Sequence, residues 1–234
     1  MEYIFAARNE EEFVRFKQFA DRYESVIAEY LDHLKAKYDV KDLPRCIVLT
    51  GAATATELIS DIPIPSYTND HRIVFAPELD VWKSSYLRQL DNYEENAQIK
   101  EIRAYYETSL NEHHLLQILG HELAHHSDLF SDEAYENGGA WFEEGTVEYI
   151  SRKYFLTERE FEEEARINKV LVELYERTHP RRSITSFGDS CDFATLYYDY
   201  WRAFLKIGEA VDRFGGELAV LSRFANDPRQ LIAD

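Results

Sequence analysis

The residues best suited to chemistry lie in one stretch, His121-Glu122-Leu123-Ala124-His125. Apolar residues recur at helical spacing around it, from position 115 to position 129, which predicts a mostly buried helix. Because residues four apart share one face of a helix, His121 and His125 can offer two imidazole nitrogens to one ion. Glu122 can place its carboxylate beside a water molecule on that ion. This H-E-x-x-H arrangement is typical of zinc-dependent hydrolysis. The alternative, two ordinary surface histidines, is disfavoured by the apolar neighbours.

A third metal ligand is available further along the chain, since eighteen residues separate His125 from Glu144. Two histidines and one glutamate make a complete catalytic zinc set with an open fourth position. Glu143 points about 100° away from Glu144 on a helix, so only one of the two can face the histidines. Glu148 shares the face of Glu144 and can accept a hydrogen bond from the outer nitrogen of a ligand histidine. We therefore predict one Zn2+ ion on His121, His125 and Glu144.

The segment Trp141-Phe142-Glu143-Glu144-Gly145 has the Trp-x-x-Glu-Gly pattern that follows H-E-x-x-H in the gluzincin metallopeptidases, the group of thermolysin and related aminopeptidases. The chain resembles this group over about residues 110–152 and more weakly in its C-terminal helical region. The resemblance implies a zincin-like fold and peptide hydrolysis with Glu122 as general base. It also implies a strand before the zinc helix whose edge pairs with the substrate backbone. Residues 71–76 are the candidate, and an ordinary core strand is the alternative.

The resemblance further implies a tyrosine or histidine, from a downstream helix or loop, that stabilises the oxyanion beside the metal. The predicted helix 193–214 resembles the gluzincin helix that carries such a tyrosine. Tyr198 is the first candidate and Tyr197 the second, with a core tyrosine as the alternative for each. His179 and Arg181 are weaker candidates for contacts with the substrate.

The expected activity is that of a zinc metallopeptidase acting on a peptide or protein. The Gly-x-Met-x-Asn stretch by which aminopeptidases of this group bind the substrate amine does not occur in the sequence, so the choice between endopeptidase and exopeptidase stays open. Two alternatives remain. One is a cytoplasmic regulatory protease specific for one protein partner. The other is a catalytically silent zinc-binding scaffold, against which Glu122 speaks, since only catalysis needs that carboxylate.

The length, composition and charge of the chain limit the number of domains and the kinds of partner to be expected. A chain of 234 residues with 45% hydrophobic content can bury a core and predicts one domain or one domain with a small helical lobe. The net charge of −18 argues against nucleic acid and anionic membranes as partners. No apolar run reaches the roughly 20 residues of a membrane span, and residues 1–12 do not predict a secretory signal. Cys46 and Cys191 lack C-x-x-C spacing and are predicted to be reduced, buried thiols of a cytoplasmic protein. The oligomeric state stays open.

The order of predicted elements favours an α+β fold, mainly helical, with a small sheet near the N-terminal half. A single zincin-like catalytic domain would contain a long helix and the sheet in residues 1–77, the zinc helices in 111–154 and a helical part in 157–234. Strands are predicted at 45–50 and 71–76. Loops are predicted at 61–70 and 128–139, and a helical region at 78–108 with a break at 91–98.

Several other polar residues match no motif position. His113, His114 and His126 are predicted to have structural roles. The acidic run Glu162-Glu163-Glu164 lies on the charged face of a predicted helix that begins with the capping pair Thr157 and Glu160, and we predict that this run is solvated.

Overall fold

The fold is mainly helical with one small mixed sheet, which confirms the predicted α+β class. The structure is a computed structural model that describes residues 1–59, 64–91, 93–190 and 192–233. The chain divides into two compact units, Met1–His126 and Ser127–Asp234. The sequence prediction of a single catalytic domain stays a prediction.

The sheet lies in the first unit and has the strand order β1-β2-β4-β3. Its strands are β1 (Glu2–Ala6), β2 (Cys46–Thr50), β3 (Ser66–Asn69) and β4 (Arg72–Phe75). β2 pairs in parallel with both β1 and β4, whereas β3 is antiparallel to β4. All five residues of β2 are buried, as expected for a parallel strand that is covered on both faces. The outer strands of the sheet are therefore β1 and β3.

The prediction that residues 71–76 form an edge strand is wrong, and the alternative of a core strand is confirmed. Val74 of β4 pairs with Val48 on one side and with Tyr67 on the other. Ile73, Val74 and Phe75 are fully buried. A peptide therefore has no open backbone edge on β4 with which to pair.

The edge strand is β3, which lies in the stretch predicted to be a loop. Two prolines suggested that loop, but the strand begins directly after the second of them, Pro65. A tight turn joins β3 to β4, and the Asn69 side chain accepts hydrogen bonds from the amides of His71 and Arg72 at 3.0 and 3.1 Å. Strand pairing thus overrides the local turn signal. β1 was not predicted either, because its five residues alternate too briefly to stand out.

The helices of the first unit confirm the predicted helical regions. They are α1 (Glu10–Tyr38), α2 (Ala52–Thr54, continued as a π-helical turn to Ile59), α3 (Leu79–Arg88), α4 (Ala97–Thr108) and α5 (Glu112–Ala124). Two of them, α1 and α5, pack against the sheet. Asn9 caps α1 by accepting from the Glu12 amide at 2.9 Å. The Glu12 carboxylate binds Arg8 instead of completing the capping box, and these hydrogen bonds hold its pKa below the usual range.

The second unit consists of helices joined by turns and loops in its described residues. Its helices are α6 (Asp132–Ala134), α7 (Ala140–Phe155), α8 (Glu158–Thr178), α9 (Phe193–Phe214), α10 (Glu217–Phe224) and α11 (Gln230–Ala233). α7 and α8 both pack on α9. The predicted capping pair Thr157 and Glu160 is present at the start of α8. Gly215 ends α9 with φ of 82°, a left-handed conformation that glycine adopts without steric cost.

One residue of the acidic run that was predicted to be solvated is buried. Glu164 is buried, not solvated, and its carboxylate lies 3.8 Å from Nη2 of Arg152. Burial of a carboxylate requires a compensating partner, and the buried Arg152 guanidinium supplies a positive charge. The helical pattern alone did not indicate this contact, since it depends on packing between α7 and α8.

The cysteine prediction is tested at one position. Cys46 is a buried free thiol at the start of β2, as predicted, whereas Cys191 lies outside the described residues. Among the residues that the structure describes, no helix is long and apolar enough to cross a membrane.

Candidate metal centre

Helix α5 holds the H-E-x-x-H stretch in a buried position. α5 packs against α1, β3 and β4, and the side chains from His114 to Leu123 are buried. The fully buried Tyr30 of α1 donates a hydrogen bond from its hydroxyl to the Gly120 carbonyl at 3.2 Å. This contact lies one residue before His121 and fixes the rotation of α5 about its axis.

The start of α5 confirms a structural role for His114. Asn111 caps the helix, and its side chain accepts from the His113 amide at 2.9 Å. Nδ1 of His114 in turn accepts from the Asn111 amide at 3.2 Å. His114 therefore occupies the position in the capping box that a glutamate or glutamine usually fills.

The end of α5 presents the three motif side chains together. His121 and Glu122 are each only 7% exposed, and His125 is half-buried at the C-terminal cap. The Nε2 atoms of His121 and His125 lie 3.1 Å apart. Two nitrogens on a tetrahedral zinc ion, with bonds of about 2.0–2.1 Å, are separated by roughly 3.3 Å. The two imidazoles are thus already spaced as zinc ligands.

Helix α7 positions Glu144 through a close helix–helix contact. A Cβ atom added at Gly145 would lie 2.6 Å from the backbone oxygen of Ala203 and 2.9 Å from Cγ1 of Ile207, both on α9. Only glycine permits this approach of α7 to α9. Glu144, the preceding residue, is 8% exposed. The packing of Gly145 therefore sets the position of the Glu144 carboxylate within the second unit.

Ligand atoms of His121, His125 and Glu144 all lie within 4.8 Å of one another. The set combines two neutral nitrogen donors with one carboxylate, which is a common donor set of catalytic zinc. Glu143 is half-buried and does not belong to this group. The donor types suit a zinc ion. A separation of 4.8 Å exceeds the roughly 3.3 Å expected between two atoms bound to one tetrahedral zinc ion, so the three ligands would have to draw closer together on binding.

Glu148, predicted to support a ligand histidine, binds an arginine one turn further along α7. Its Oε2 accepts from Nη2 of Arg152 at 2.8 Å. Arg152 is itself buried, and its guanidinium carbon lies 4.2 Å from the centroid of the Phe204 ring. This ion pair orients the Glu148 carboxylate on its own helix. The role of Glu148 beside a histidine stays a prediction.

Tyr198, the first candidate for the oxyanion donor, is fully buried in α9. Its hydroxyl donates to Oε1 of Glu176 at 2.7 Å, and its ring stacks on Tyr175 with centroids 4.1 Å apart. Burial, followed by the hydrogen bond to Glu176, raises the pKa of Tyr198 to about 12. The phenol is therefore neutral near pH 7, and its proton is engaged by a carboxylate. No contact of Tyr198 bears on catalysis, so its predicted role stays a prediction.

The weaker candidates lie close to Tyr198. The exposed His179 stacks on Tyr175 with centroids 4.2 Å apart. Nε of Arg181 lies 3.5 Å from the same Glu176 oxygen that Tyr198 binds, and its side chain is 76% exposed. Tyr197 points elsewhere, towards Trp201. The structure thus groups Tyr198, His179 and Arg181 around Tyr175 and Glu176.

Sequence reasoning missed Tyr135, a residue whose pKa responds to the charge of the predicted ligand Glu144. Tyr135 begins the π-helical turn Tyr135–Gly139 that leads directly into α7. It is 42% exposed. Partial burial, followed by the charges of Glu144 and Glu143, raises its pKa to about 12. Tyr135 lies in the predicted polar loop 128–139, which precedes Glu144 in the chain. An aromatic residue in this loop was the feature of the sequence from which Tyr135 could have been identified.

Comparisons with protein-family models, with curated proteins and with solved structures found no match to this chain. The function is therefore inferred from the residues of the chain, from their geometry and from the gluzincin-like pattern in the sequence.

Proposed function

We propose that the protein is a zinc-dependent peptidase. The observation that carries the proposal is the convergence of His121, His125 and Glu144 within 4.8 Å, with Glu122 buried next to the first of them. A cation held by the three ligands would compensate the charge of the buried Glu144 carboxylate. A structural zinc site needs a fourth protein ligand, whereas a catalytic site keeps one position open for water or substrate. The three-residue set supports the catalytic kind.

Each residue of the motif has a distinct part in the proposed reaction. His121, His125 and Glu144 would hold the ion. Zinc supplies Lewis acidity, which allows water to ionise near neutral pH. Glu122 would accept the proton of the attacking water and deliver it to the amine that leaves. Because Glu122 shares the buried environment of the ligands, its carboxylate is shielded from bulk water, and its interactions with the reacting groups are strengthened.

The oxyanion that forms on the scissile carbonyl needs a hydrogen-bond donor from the protein. We propose Tyr135 for this role ahead of Tyr198. The charge of Glu144 acts on Tyr135, whose phenol is partly open to a substrate. Tyr198 would first have to release Glu176, and its buried ring leaves no surface for a substrate. Both phenols have raised pKa values and would act as neutral donors.

The substrate would be a peptide or protein bound in an extended conformation. The gluzincin-like pattern implies a strand before the zinc helix that pairs with the substrate backbone. β3 is the edge strand that precedes α5 in the chain and packs against it. We propose that β3 has this role in place of β4, with main-chain hydrogen bonds as the source of affinity.

The direct test combines metal analysis with a peptide cleavage assay. Protein purified without chelator should contain about one zinc per chain, as one three-ligand site implies, and should cleave members of a mixed library of quenched fluorescent peptides. A chelator should abolish cleavage, and added zinc should restore it. A zinc content near zero after supplementation would overturn the proposal.

The same assay separates the two alternatives. Cleavage of one protein from a cellular extract, with generic peptides left intact, would identify a regulatory protease with a single partner. Full zinc occupancy without cleavage of any peptide or protein would identify a zinc-binding scaffold and refute the catalytic role.

A further inference from the structure

Two residues of β3 have backbone N–H and C=O groups on the side of the strand that faces away from β4. The amide of Ala76 donates to the Pro65 carbonyl at 3.0 Å, which places the pair 65 and 76 among the hydrogen-bonded pairs of the antiparallel ladder. Such pairs alternate along the strand. With the observed register, Tyr67 and Asn69 therefore bond to β4. The N–H and C=O groups of Ser66 and Thr68 point away from the sheet.

Thr68 is also joined to the end of α5. Its Oγ1 lies 2.7 Å from Nε2 of His126, a hydrogen bond that links positions 58 residues apart. His126 directly follows His125, the second predicted zinc ligand. Both Thr68 and His126 are half-buried, so this bond competes less with water than a fully exposed one would. Ser66 itself is buried. One side-chain contact thus connects the outer edge of β3, at the half-buried Thr68, to the residue next to the candidate metal centre.

We infer that the Thr68–His126 hydrogen bond positions the substrate: it fixes the edge of β3 at one distance from His125. The inference rests on the proposed peptidase function and gives His126 a positioning role. β3 has only four residues, and among the residues that the structure describes a ladder holds it on one side. The turn that follows it, at Asn69 and Asp70, is exposed. A second attachment keeps such a short strand in place before the substrate binds, which lowers the cost of ordering the strand on binding and so favours a low KM.

The kinetic test removes the bond without changing the volume of the side chain. Thr68→Val should raise the KM of an extended peptide of about eight residues by about threefold to tenfold, the range that corresponds to one hydrogen bond. The kcat should change less than the KM. A dipeptide substrate, too short to span β3, should show a smaller effect. Thr68→Ser keeps the hydroxyl and should restore a KM close to that of the wild type.

Thr56→Val is the matched control. Thr56 is a half-buried threonine of the same unit, and its Oγ1 donates to the Ala52 carbonyl at 2.9 Å. Its substitution should leave the KM of both substrates unchanged. A second variant, His126→Phe, removes the other partner. If the two residues act through one bond, the effects of Thr68→Val and His126→Phe on KM should be clearly less than additive.

Amide hydrogen exchange gives a readout that does not depend on catalysis. Thr68→Val and His126→Phe should each speed exchange across Ser66–Asn69 by about threefold to tenfold, while Thr56→Val should not. If the wild-type protein cleaves no peptide but exchange changes as expected, the proposed function fails and the contact stands. If peptides are cleaved and Thr68→Val alters neither KM nor exchange, the inference is overturned. A loss of binding that Thr68→Ser fails to restore would also overturn it.

Discussion

The end of α5 and the first turns of α7 supply the candidate metal ligands in two different ways. α5 presents His121, Glu122 and His125 through local helical spacing, so any helix with this sequence brings the two imidazoles together. α7 presents a single ligand, Glu144, whose position depends on the contact of Gly145 with α9. A site of this kind therefore has one part that is encoded locally and one part that is encoded by packing. Substitutions in the locally encoded part and in the part that depends on packing should therefore have different effects on activity, zinc binding and stability.

The largest expected effect concerns the local part. Glu122→Gln should keep zinc and fold and should reduce kcat by about a hundredfold to ten-thousandfold, the usual contribution of a general base. The amide has the shape of the carboxylate but cannot accept the proton. Zinc content, thermal melting and steady-state kinetics measure the three quantities separately. Unchanged turnover of a good substrate would refute the role of Glu122.

The second prediction compares the two neighbouring glutamates of α7. Glu144→Ala should weaken zinc binding by more than the tenfold to hundredfold loss that follows removal of an outer-sphere partner. Glu143→Ala should bind zinc as the wild type does. Competition with a coloured chelator measures both affinities. The reverse result would make Glu143 the ligand.

The third prediction separates the two tyrosines. Tyr135→Phe should lower kcat by about a hundredfold, as expected for loss of one preorganised oxyanion donor, with zinc content unchanged. Tyr198→Phe should mainly reduce stability, by about 1 kcal/mol for the lost bond to Glu176. Kinetics and urea unfolding of both variants decide the assignment. A kinetic loss confined to Tyr198→Phe would restore the original sequence prediction, and loss in neither would point to His179.

The smallest expected effect concerns the packing of α7. Gly145→Ala should destabilise the protein by about 1–3 kcal/mol, because the added methyl group overlaps the Ala203 carbonyl. It should also weaken zinc binding, since α7 must shift. Gly208→Ala in α9 is the matched control, because its Cβ would meet Tyr149 at an ordinary 3.8 Å. That substitution should be neutral or stabilising, as alanine favours helix. Equal melting temperatures for the two variants would show that Gly145 does not determine the position of α7.

Much of the fold could be predicted because it is specified by local patterns. The cap at Asn9, the capping box of Thr157 and Glu160, and the glycines at 215–216 each mark a helix boundary through nearby atoms. The order of the strands could not be predicted, since β2 pairs with β1 and with β4, and both partners lie far from it in the sequence. The short β3 also follows a proline, which weighs against a strand in any local reading.

The same distinction applies to the site. The spacing of His121, Glu122 and His125 was visible in the sequence, and Glu144 followed from the gluzincin-like pattern. Tyr135 was missed, because the influence of Glu144 on it depends on the turn Tyr135–Gly139, where Gly138 has φ of 83°. The pairing of Tyr198 with Glu176 was also invisible, since it joins α8 to α9.

The buried thiol of Cys46 in β2 can report how often the sheet opens locally. Cys46 packs in a cluster with Val48, Ala55 and Val74, so a labelling reagent reaches the sulfur when the residues that cover this face of the sheet move apart. In a Cys191→Ser background, the rate of thiol modification would report how often the centre of the sheet opens. A plateau at high reagent concentration would equal the opening rate itself. Comparison of that rate with and without zinc would show whether metal binding at the end of α5 slows the local opening of the sheet.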